Sequence, residues 1–386
     1  MKKIFVLTGG GLAPALNPTL YGVITAARER GWSVIGGLFG WASLLRNGQH
    51  IDLDNLPIEA IRNVGGTFLR SSRTNPFAFT DGIYQLKERL HDLGIDAVVA
   101  IGGDDTLGAA AELFREGIPV VGIPKTIDND LAGTYYTPGF PSAAHYLSSF
   151  TNEIREDAAY ALSRIFIIES MGMKAGWLAA AARYGNADII VPPEQPVSLR
   201  AMLGALEKRY TENGNYAVVV VAQEAHFDEP LERIRDHYID EQYGHQRHSF
   251  ICVSLREKIK KELGVDTKAL YPGNWLETGR PIPLDRDIAI NLGHHAIKMI
   301  AEARLGYMAA IVRPDEKKTD LAVSEIALSA IVGKQNYRIM PPGFFDFSNF
   351  QPTAAFCDYM EPILGRCEPK DDDYTKLIKK ITSQVG

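Results

Sequence analysis

The sequence predicts an α/β protein made of two similar three-layer α/β domains with parallel-rich sheets. Three observations predict it. Short continuous apolar runs alternate with amphipathic helical stretches, which is the βαβ signature of a parallel sheet covered on both faces. Glycine-rich turns follow the early apolar runs, at Gly9–Gly11 and Gly102–Gly103. The alternation continues past residue 160, and 386 residues exceed what one hydrophobic core usually serves.

The elements follow in order. Ile4–Thr8 reads as a buried strand, too short in its apolar part for a signal-peptide core. A helix starts at Asn17 as N-cap with Pro18 in first position, and Gly31 stops it. Val34–Phe39 is strand-like. Asp81 can cap a helix that places Ile83, Leu86, Leu90 and Leu93 on one face and ends at Gly94. "DAVVAI" (Asp96–Ile101) is the next strand, followed by a helix from Leu107 to Glu116 closed by Gly117, and then by the strand "VVGI". A second series begins with "RIFIIES" (Arg164–Ser170), "ADIIVPP" (Ala187–Pro193) and "YAVVVVAQE" (Tyr216–Glu224), with a helix over Leu199–Glu212. A helix over Asp285–Ala303 and a strand at Met308–Val312 come later. The tail "EPKDDDYTK" reads as a solvated surface segment.

Composition narrows the function classes. Hydrophobic residues make up 46% and charged residues 23%, an ordinary globular balance. A net charge of −6 argues against a nucleic-acid partner, because phosphate backbones call for a basic face. No apolar run approaches the roughly 20 residues of a membrane span, so no membrane partner is expected. The three cysteines lack metal-ligand spacing and read as reduced thiols of a cytoplasmic protein.

The chemistry collects at strand ends, where open α/β sheets bind ligands. "TGGGLAPALN" is neither G-x-G-x-x-G nor a Walker A loop, which sets a dinucleotide-dependent oxidoreductase aside. A glycine turn between strand and helix can still bring backbone N–H groups to a phosphate. "GGDDTLGA" and "GIPKTIDND" add Asp104, Asp105, Asp128 and Asp130. Phosphoryl transfer needs a carboxylate for Mg²⁺, a group for the attacking hydroxyl, and cations around the transferred phosphoryl. Asp104 suits the metal, Asp128 or Asp130 the hydroxyl, and Lys125 and Arg73 the cations.

"GGTFLRSSR" (Gly65–Arg73), "GGDDT" (Gly102–Thr106), "PKTIDND" (Pro124–Asp130), "ESMGMKAGWLA" (Glu169–Ala179) and "GRPIPLDRDIA" (Gly279–Ala289) together resemble the phosphofructokinase family, over roughly residues 1–340. The resemblance implies Mg²⁺-dependent phosphoryl transfer to the 1-hydroxyl of fructose 6-phosphate. It makes Asp128 the base and Asp104 the metal site. Gly11, Gly103, Thr106 and Arg73 fall on the donor side, and Thr126, Asp130, Met171, Gly172 and Glu224 in the sugar pocket. It implies a phosphofructokinase-like division into 1–139 with about 280–325, and 140–279 with about 326–386. It also implies a homodimer or homotetramer.

ATP-using members have glycine where this chain has Asp105 and Lys125. A carboxylate at Asp105 would repel a nucleotide's α-phosphate, and Lys125 can neutralise pyrophosphate. The pair resembles the pyrophosphate-dependent branch, so pyrophosphate is the expected donor. The acceptor side departs from the family. Met173 replaces an arginine. Arg164 and Lys268 remain as basic residues for the sugar phosphate. In Gly273–Gly279, Asn274 stands for a histidine or aromatic, and Glu277 for an arginine that would grip phosphate. A carboxylate facing a phosphate is unfavourable. Three readings stay open: Arg280 or Arg286 supplies the missing charge, Arg164 and Lys268 suffice, or the acceptor is an unphosphorylated sugar, polyol or nucleoside-like molecule. A non-catalytic sugar-phosphate or nucleotide sensor is the remaining reading.

Overall fold

The apolar run after Lys2 forms strand β1 (Lys3–Thr8), and the glycine turn behind it delivers the chain into helix α1 (Leu16–Glu29). This computed structural model describes residues 1–231, 234–235, 248–315, 317–331, 337–367, 377 and 380–381; "EPKDDDYTK" lies outside them. The elements continue as β2 (Ser33–Gly37), β3 (His50–Asp52), α2 (Gly82–Asp92), β4 (Ala97–Gly102), α3 (Asp104–Arg115), β5 (Val120–Pro124) and α4 (Phe140–Asp157). Then come β6 (Ile165–Ser170), α5 (Trp177–Ala181), β7 (Ile189–Val191), α6 (Leu199–Glu212), β8 (Ala217–Ala222), the short β9 (Ile234–Arg235) and β10 (His248–Ser249), and α7 (Ile251–Leu263). The last are β11 (Thr267–Leu270), α8 (Trp275–Thr278), α9 (Pro283–Ala301), β12 (Tyr307–Val312), β13 (Ala322–Ala327), α10 (Leu328–Ile331) and α11 (Ala354–Leu364).

The described residues fall into two compact units. One holds Met1–Ala143 and Leu276–Arg338; the other holds those from 144 to 275 and from 339 onward. Residues 140–143, 276–279, 326–331 and 337–338, which the sequence places in the second domain, cluster with the first unit.

The first unit is built on a seven-stranded sheet in the order β13-β12-β5-β4-β1-β2-β3. Its inner strands are parallel, and the edge strands β3 and β13 run antiparallel. From β1 the chain goes to one side to make β2 and to the other to make β4. That reversal creates a switch point between β1 and β4, where a crevice opens beyond the strand ends. Phe5, Leu7, Val98 and Ala100 pack with Leu86 and Leu90 of α2 and Leu107 of α3. The opposite face of the sheet meets α1 and α9, which also pack on each other. Glycine makes that helix pairing possible: a Cβ on Gly22 would lie 2.2 Å from the Ile290 carbonyl oxygen.

Local rules placed most of these elements, with differences at helix starts. Asn17 is not the N-cap of α1. It is buried in the first turn, where Oδ1 accepts from the Phe68 N–H (3.0 Å) and Nδ2 donates to the Gly65 carbonyl (3.2 Å). The loop 65–68 has no ladder of its own, and its polar groups outbid the helix end for this side chain. Asp81 makes no capping bond and pairs with Arg46 at 3.3 Å. Helix α3 begins at Asp104 rather than Leu107, which puts both Asp104 and Asp105 in its first turn. Anionic groups are favoured there by the partial positive charge of the free N–H groups.

Pro283 opens α9, and Asp285 in its first turn is fully buried. The Asp285 carboxylate accepts from the Gly139 N–H (2.9 Å) and from the Ser142 hydroxyl (2.5 Å). It thereby ties α9 to the turn that follows the 124–130 loop. Replacing it by alanine (Asp285→Ala) strands those donors and should cost about 3 kcal/mol of stability. Urea unfolding followed by circular dichroism measures this; a loss under about 1 kcal/mol would show that the donors find other partners.

The second unit carries a four-stranded parallel sheet in the order β11-β6-β8-β7. Strands β6, β7 and β8 are buried throughout, as their unbroken apolar runs require. Glu169 of β6 is buried, and its carboxylate accepts from the Phe250 and Cys252 N–H groups at 2.9 and 3.1 Å. That fixes the start of α7.

Candidate active site

The site of the first unit is assembled at the switch point. The Gly9 N–H donates to the Ile101 carbonyl (2.9 Å), and the Lys125 N–H to the Gly102 carbonyl (2.9 Å). The three loops after β1, β4 and β5 are thus stitched edge to edge. Thr106 lies beneath them. A Cβ on Gly9 would come within 2.4 Å of Thr106 Oγ1, and one on Gly102 within 2.4 Å of Thr106 Cβ. Thr106 is buried and supports the loops from below. Gly10 takes a φ of 80°, a left-handed conformation natural to glycine. Its N–H donates to the Ser72 carbonyl (3.0 Å), which brings the Ser71–Arg73 segment to the same edge.

Charge is dense here. Lys125 is buried, and its ammonium donates to the Gly11 carbonyl. Burial pushes its pKa down to about 8, against the pull of Glu277, Asp128 and Asp104, while the Arg73 charge adds to the fall. Asp128 is half-buried as a residue, but its Oδ1 is sealed from solvent and has no hydrogen-bond partner. Desolvation, then the neighbouring carboxylates Asp130, Glu277 and Asp104, raise its pKa well above the usual carboxylate range. An orphaned, proton-hungry carboxylate oxygen suits a group that receives a hydroxyl proton.

Asp104 Oδ1 accepts from the Asp105 N–H at 2.9 Å. The sequence reading missed Tyr337. Burial and the nearby Asp104 and Asp105 charges raise the pKa of its phenol, which hydrogen-bonds to the Asp104 side chain. It missed Arg338 too. The Arg338 guanidinium donates to the Thr134 carbonyl (2.9 Å), and its backbone N–H donates to the Asp130 carbonyl (2.8 Å). Asn129, at a φ of 57°, accepts through Oδ1 from the Thr137 N–H (3.0 Å). Arg338 and Asn129 together hold the Thr126–Asp130 loop that presents Asp128. A long polar run in the sequence offered no signal for either Tyr337 or Arg338.

No group of three His, Cys, Asp or Glu side chains among the described residues could by itself hold a metal ion. Mg²⁺ in a phosphate site is held by one or two carboxylates, the ligand's phosphates and water, so Asp104 fits that donor set without such a cage.

Glu277 is placed differently from the sequence reading. It does not stand in the second unit with the basic residues. It belongs to the first, and a Cβ on Gly11 would lie 3.2 Å from its Oε1. Burial raises its pKa, opposed by the Lys125 and Arg73 charges. Asn274, three residues earlier, falls in the second unit and is exposed. Arg286 is tied to Asp287 at 2.7 Å.

The second unit brings Arg164 and Lys268 together through Asp266, at 3.5 and 3.4 Å. They start neighbouring strands, with Ile165 opposite Thr267. Gly172, after β6, has a φ of 120°, and a Cβ there would lie 2.9 Å from the Ala175 carbonyl oxygen. Met171 is buried, and Glu224 is half-buried after β8.

Residues 3–300 match the family model for phosphofructokinase. A pyrophosphate–fructose 6-phosphate 1-phosphotransferase of Dictyoglomus thermophilum is 35% identical over 329 residues, 84% of this chain and 93% of the relative. An ATP-dependent 6-phosphofructokinase of Corynebacterium efficiens is also 35% identical, over 311 residues, 80% of this chain and 89% of the relative. The solved structure of a pyrophosphate-dependent phosphofructokinase from Marinobacter aquaeolei aligns with a TM-score of 0.82 at 26% identity, over 97% of this chain and 94% of that one. Overall identity therefore expresses no preference between the two donors. No helix among the described residues is long and apolar enough to cross a membrane.

Proposed function

The chain belongs to the phosphofructokinase family, and from that premise we propose that it moves a phosphoryl group reversibly from pyrophosphate to the 1-hydroxyl of fructose 6-phosphate. The observation that carries the donor assignment is the buried Lys125 ammonium bound to the Gly11 carbonyl, with Asp105 in the first turn of α3. Lysine at this point suits a small, highly charged donor, and the Asp105 carboxylate disfavours a further phosphate with a nucleoside attached.

Each residue then has a task. Asp128 accepts the proton of the attacking hydroxyl. Lys125 and Arg73 stabilise charge spread over the transferred phosphoryl, and the Gly9–Gly11 and Gly102–Gly103 loops let backbone approach the donor. Asp104, oriented by the Asp105 N–H and the Tyr337 phenol, would hold Mg²⁺, whose chemistry is to neutralise donor charge. Thr126, Asp130, Met171, Gly172 and Glu224 serve the sugar, and Arg164 and Lys268 its 6-phosphate, in a homodimer or homotetramer. The location of Glu277 at Gly11, under the charges of Lys125 and Arg73, supports a phosphorylated acceptor, because the carboxylate is engaged with donor-side cations.

Steady-state assays with Mg²⁺ test this, pairing pyrophosphate or ATP with fructose 6-phosphate or with a panel of unphosphorylated sugars and polyols. The expected result is turnover of fructose 6-phosphate with pyrophosphate at a kcat/KM at least about a hundredfold above that with ATP. Turnover confined to the unphosphorylated panel would overturn the acceptor assignment, and an ATP preference the donor assignment.

A further inference from the structure

Glu277 sits where an anionic ligand is needed. Helix α8 is anchored by the fully buried Leu276, and the chain just beyond is pinned where Gly65 meets the Gly279 carbonyl. A Cβ there would lie 2.1 Å from that oxygen, so the approach is backbone against backbone. The Glu277 side chain is thereby held over Gly11, with Oε1 3.2 Å from where a Cβ on Gly11 would be. Lys125 donates to the carbonyl of the same Gly11. The charges that act on Glu277 are those of Lys125 and Arg73, and Glu277 in turn acts on Asp128.

These neighbours are the groups that must surround a phosphoryl group in transit: Gly11 and the two cations on the donor side, Asp128 on the hydroxyl side. We propose that Glu277 is an internal competitor for that group, a carboxylate that balances Lys125 and Arg73 until a phosphate of the donor displaces it. The inference rests on the proposed function in one respect, that donor phosphate binds at Gly11, Lys125 and Arg73.

Two consequences follow from its charge. A buried lysine without a counter-charge tends to lose its proton, and Glu277 keeps Lys125 charged while no anion is bound. The same carboxylate repels the incoming phosphate and the phosphorylated products, so it lowers affinity and hastens release. It is a specificity determinant that acts on anions at the transfer point and leaves a neutral hydroxyl untouched.

The test is calorimetric titration at pH 6.5, below the value of about 8 to which burial lowers Lys125 beside Glu277. The probes are inorganic phosphate and pyrophosphate with Mg²⁺, against wild type, Glu277→Gln and Glu277→Asp. Glu277→Gln should bind both probes about tenfold more tightly, and its KM for pyrophosphate should fall without a matching change in KM for the acceptor. Glu277→Asp keeps the charge and should remain within about threefold of wild type. Equal or weaker binding of both probes by a folded Glu277→Gln chain overturns the inference. Should that variant unfold, Glu277→Ala carries the same expectation. A wild type that prefers Mg-ATP but whose Glu277→Gln form gains affinity for inorganic phosphate would remove the pyrophosphate assignment and leave the role of Glu277 standing.

Discussion

Asp128→Asn should lower kcat roughly a thousandfold while KM for pyrophosphate stays within a few-fold, because the carboxylate acts on the proton of the hydroxyl and not on the donor. The amide keeps the shape and removes the base. Steady-state kinetics with pyrophosphate and fructose 6-phosphate measure it, and a fall under about tenfold would move the base to Asp130. The same substitution has a second expected effect. The folded-state pKa of Asp128 lies above its unfolded value of 3.8. A group shifted upward contributes stability that is full below the unfolded pKa and is lost as pH rises through the folded one. Ionised Asp128 therefore destabilises the ligand-free chain at alkaline pH, crowded as it is by Asp130, Glu277 and Asp104. Asp128→Asn should melt at a higher temperature than wild type at pH 9, and the gap should close toward pH 4. An unchanged melting temperature at pH 9 would mean that solvent or a cation already relieves the cluster.

Replacing Asp105 and Lys125 together with glycine should lower kcat/KM for pyrophosphate about a hundredfold or more and raise the ratio of ATP to pyrophosphate use. Lys125 contributes charge at the transferred group, and Asp105 contributes repulsion toward a longer donor. Lys125 also titrates: with its pKa lowered to about 8, it is charged below that pH and neutral above. Pyrophosphate kcat/KM should accordingly fall on the alkaline side of about pH 8. Lys125→Arg, which stays protonated, should move that limb upward even if it costs activity through its larger head group. An unchanged donor ratio in the double variant would place donor selection outside this pair. An alkaline limb that Lys125→Arg leaves in place would assign it to another group.

Much of this arrangement was legible locally. The apolar runs that became β1, β4 and β5, and the glycines Gly31, Gly94 and Gly117 with φ of 65°, 63° and 85° after their helices, obey rules that act over a few residues. The predicted helix Leu199–Glu212 has the same bounds in the structure, since Ser198 caps it through its own side chain. Asp104, Lys125 and Asp128 could be assigned to one sheet edge because strand ends in a parallel sheet face the same way. Asn17 could not be assigned correctly: the sequence offers a good N-cap, and a loop about fifty positions away offered it better bonds.

The sequence by itself determined the α/β architecture, the strand-end placement of the carboxylates and the lysine beside them, and the chemistry they suit. Only tertiary structure decided which distant residues complete that edge. Tyr337 and Arg338 reach Asp104 and the Thr126–Asp130 loop from some two hundred positions downstream, and Glu277 turns toward Gly11. The reason is physical. Periodicity and turn chemistry fix the backbone over short spans, whereas the direction a polar side chain takes is set by the partners that satisfy it, and those arrive through the fold.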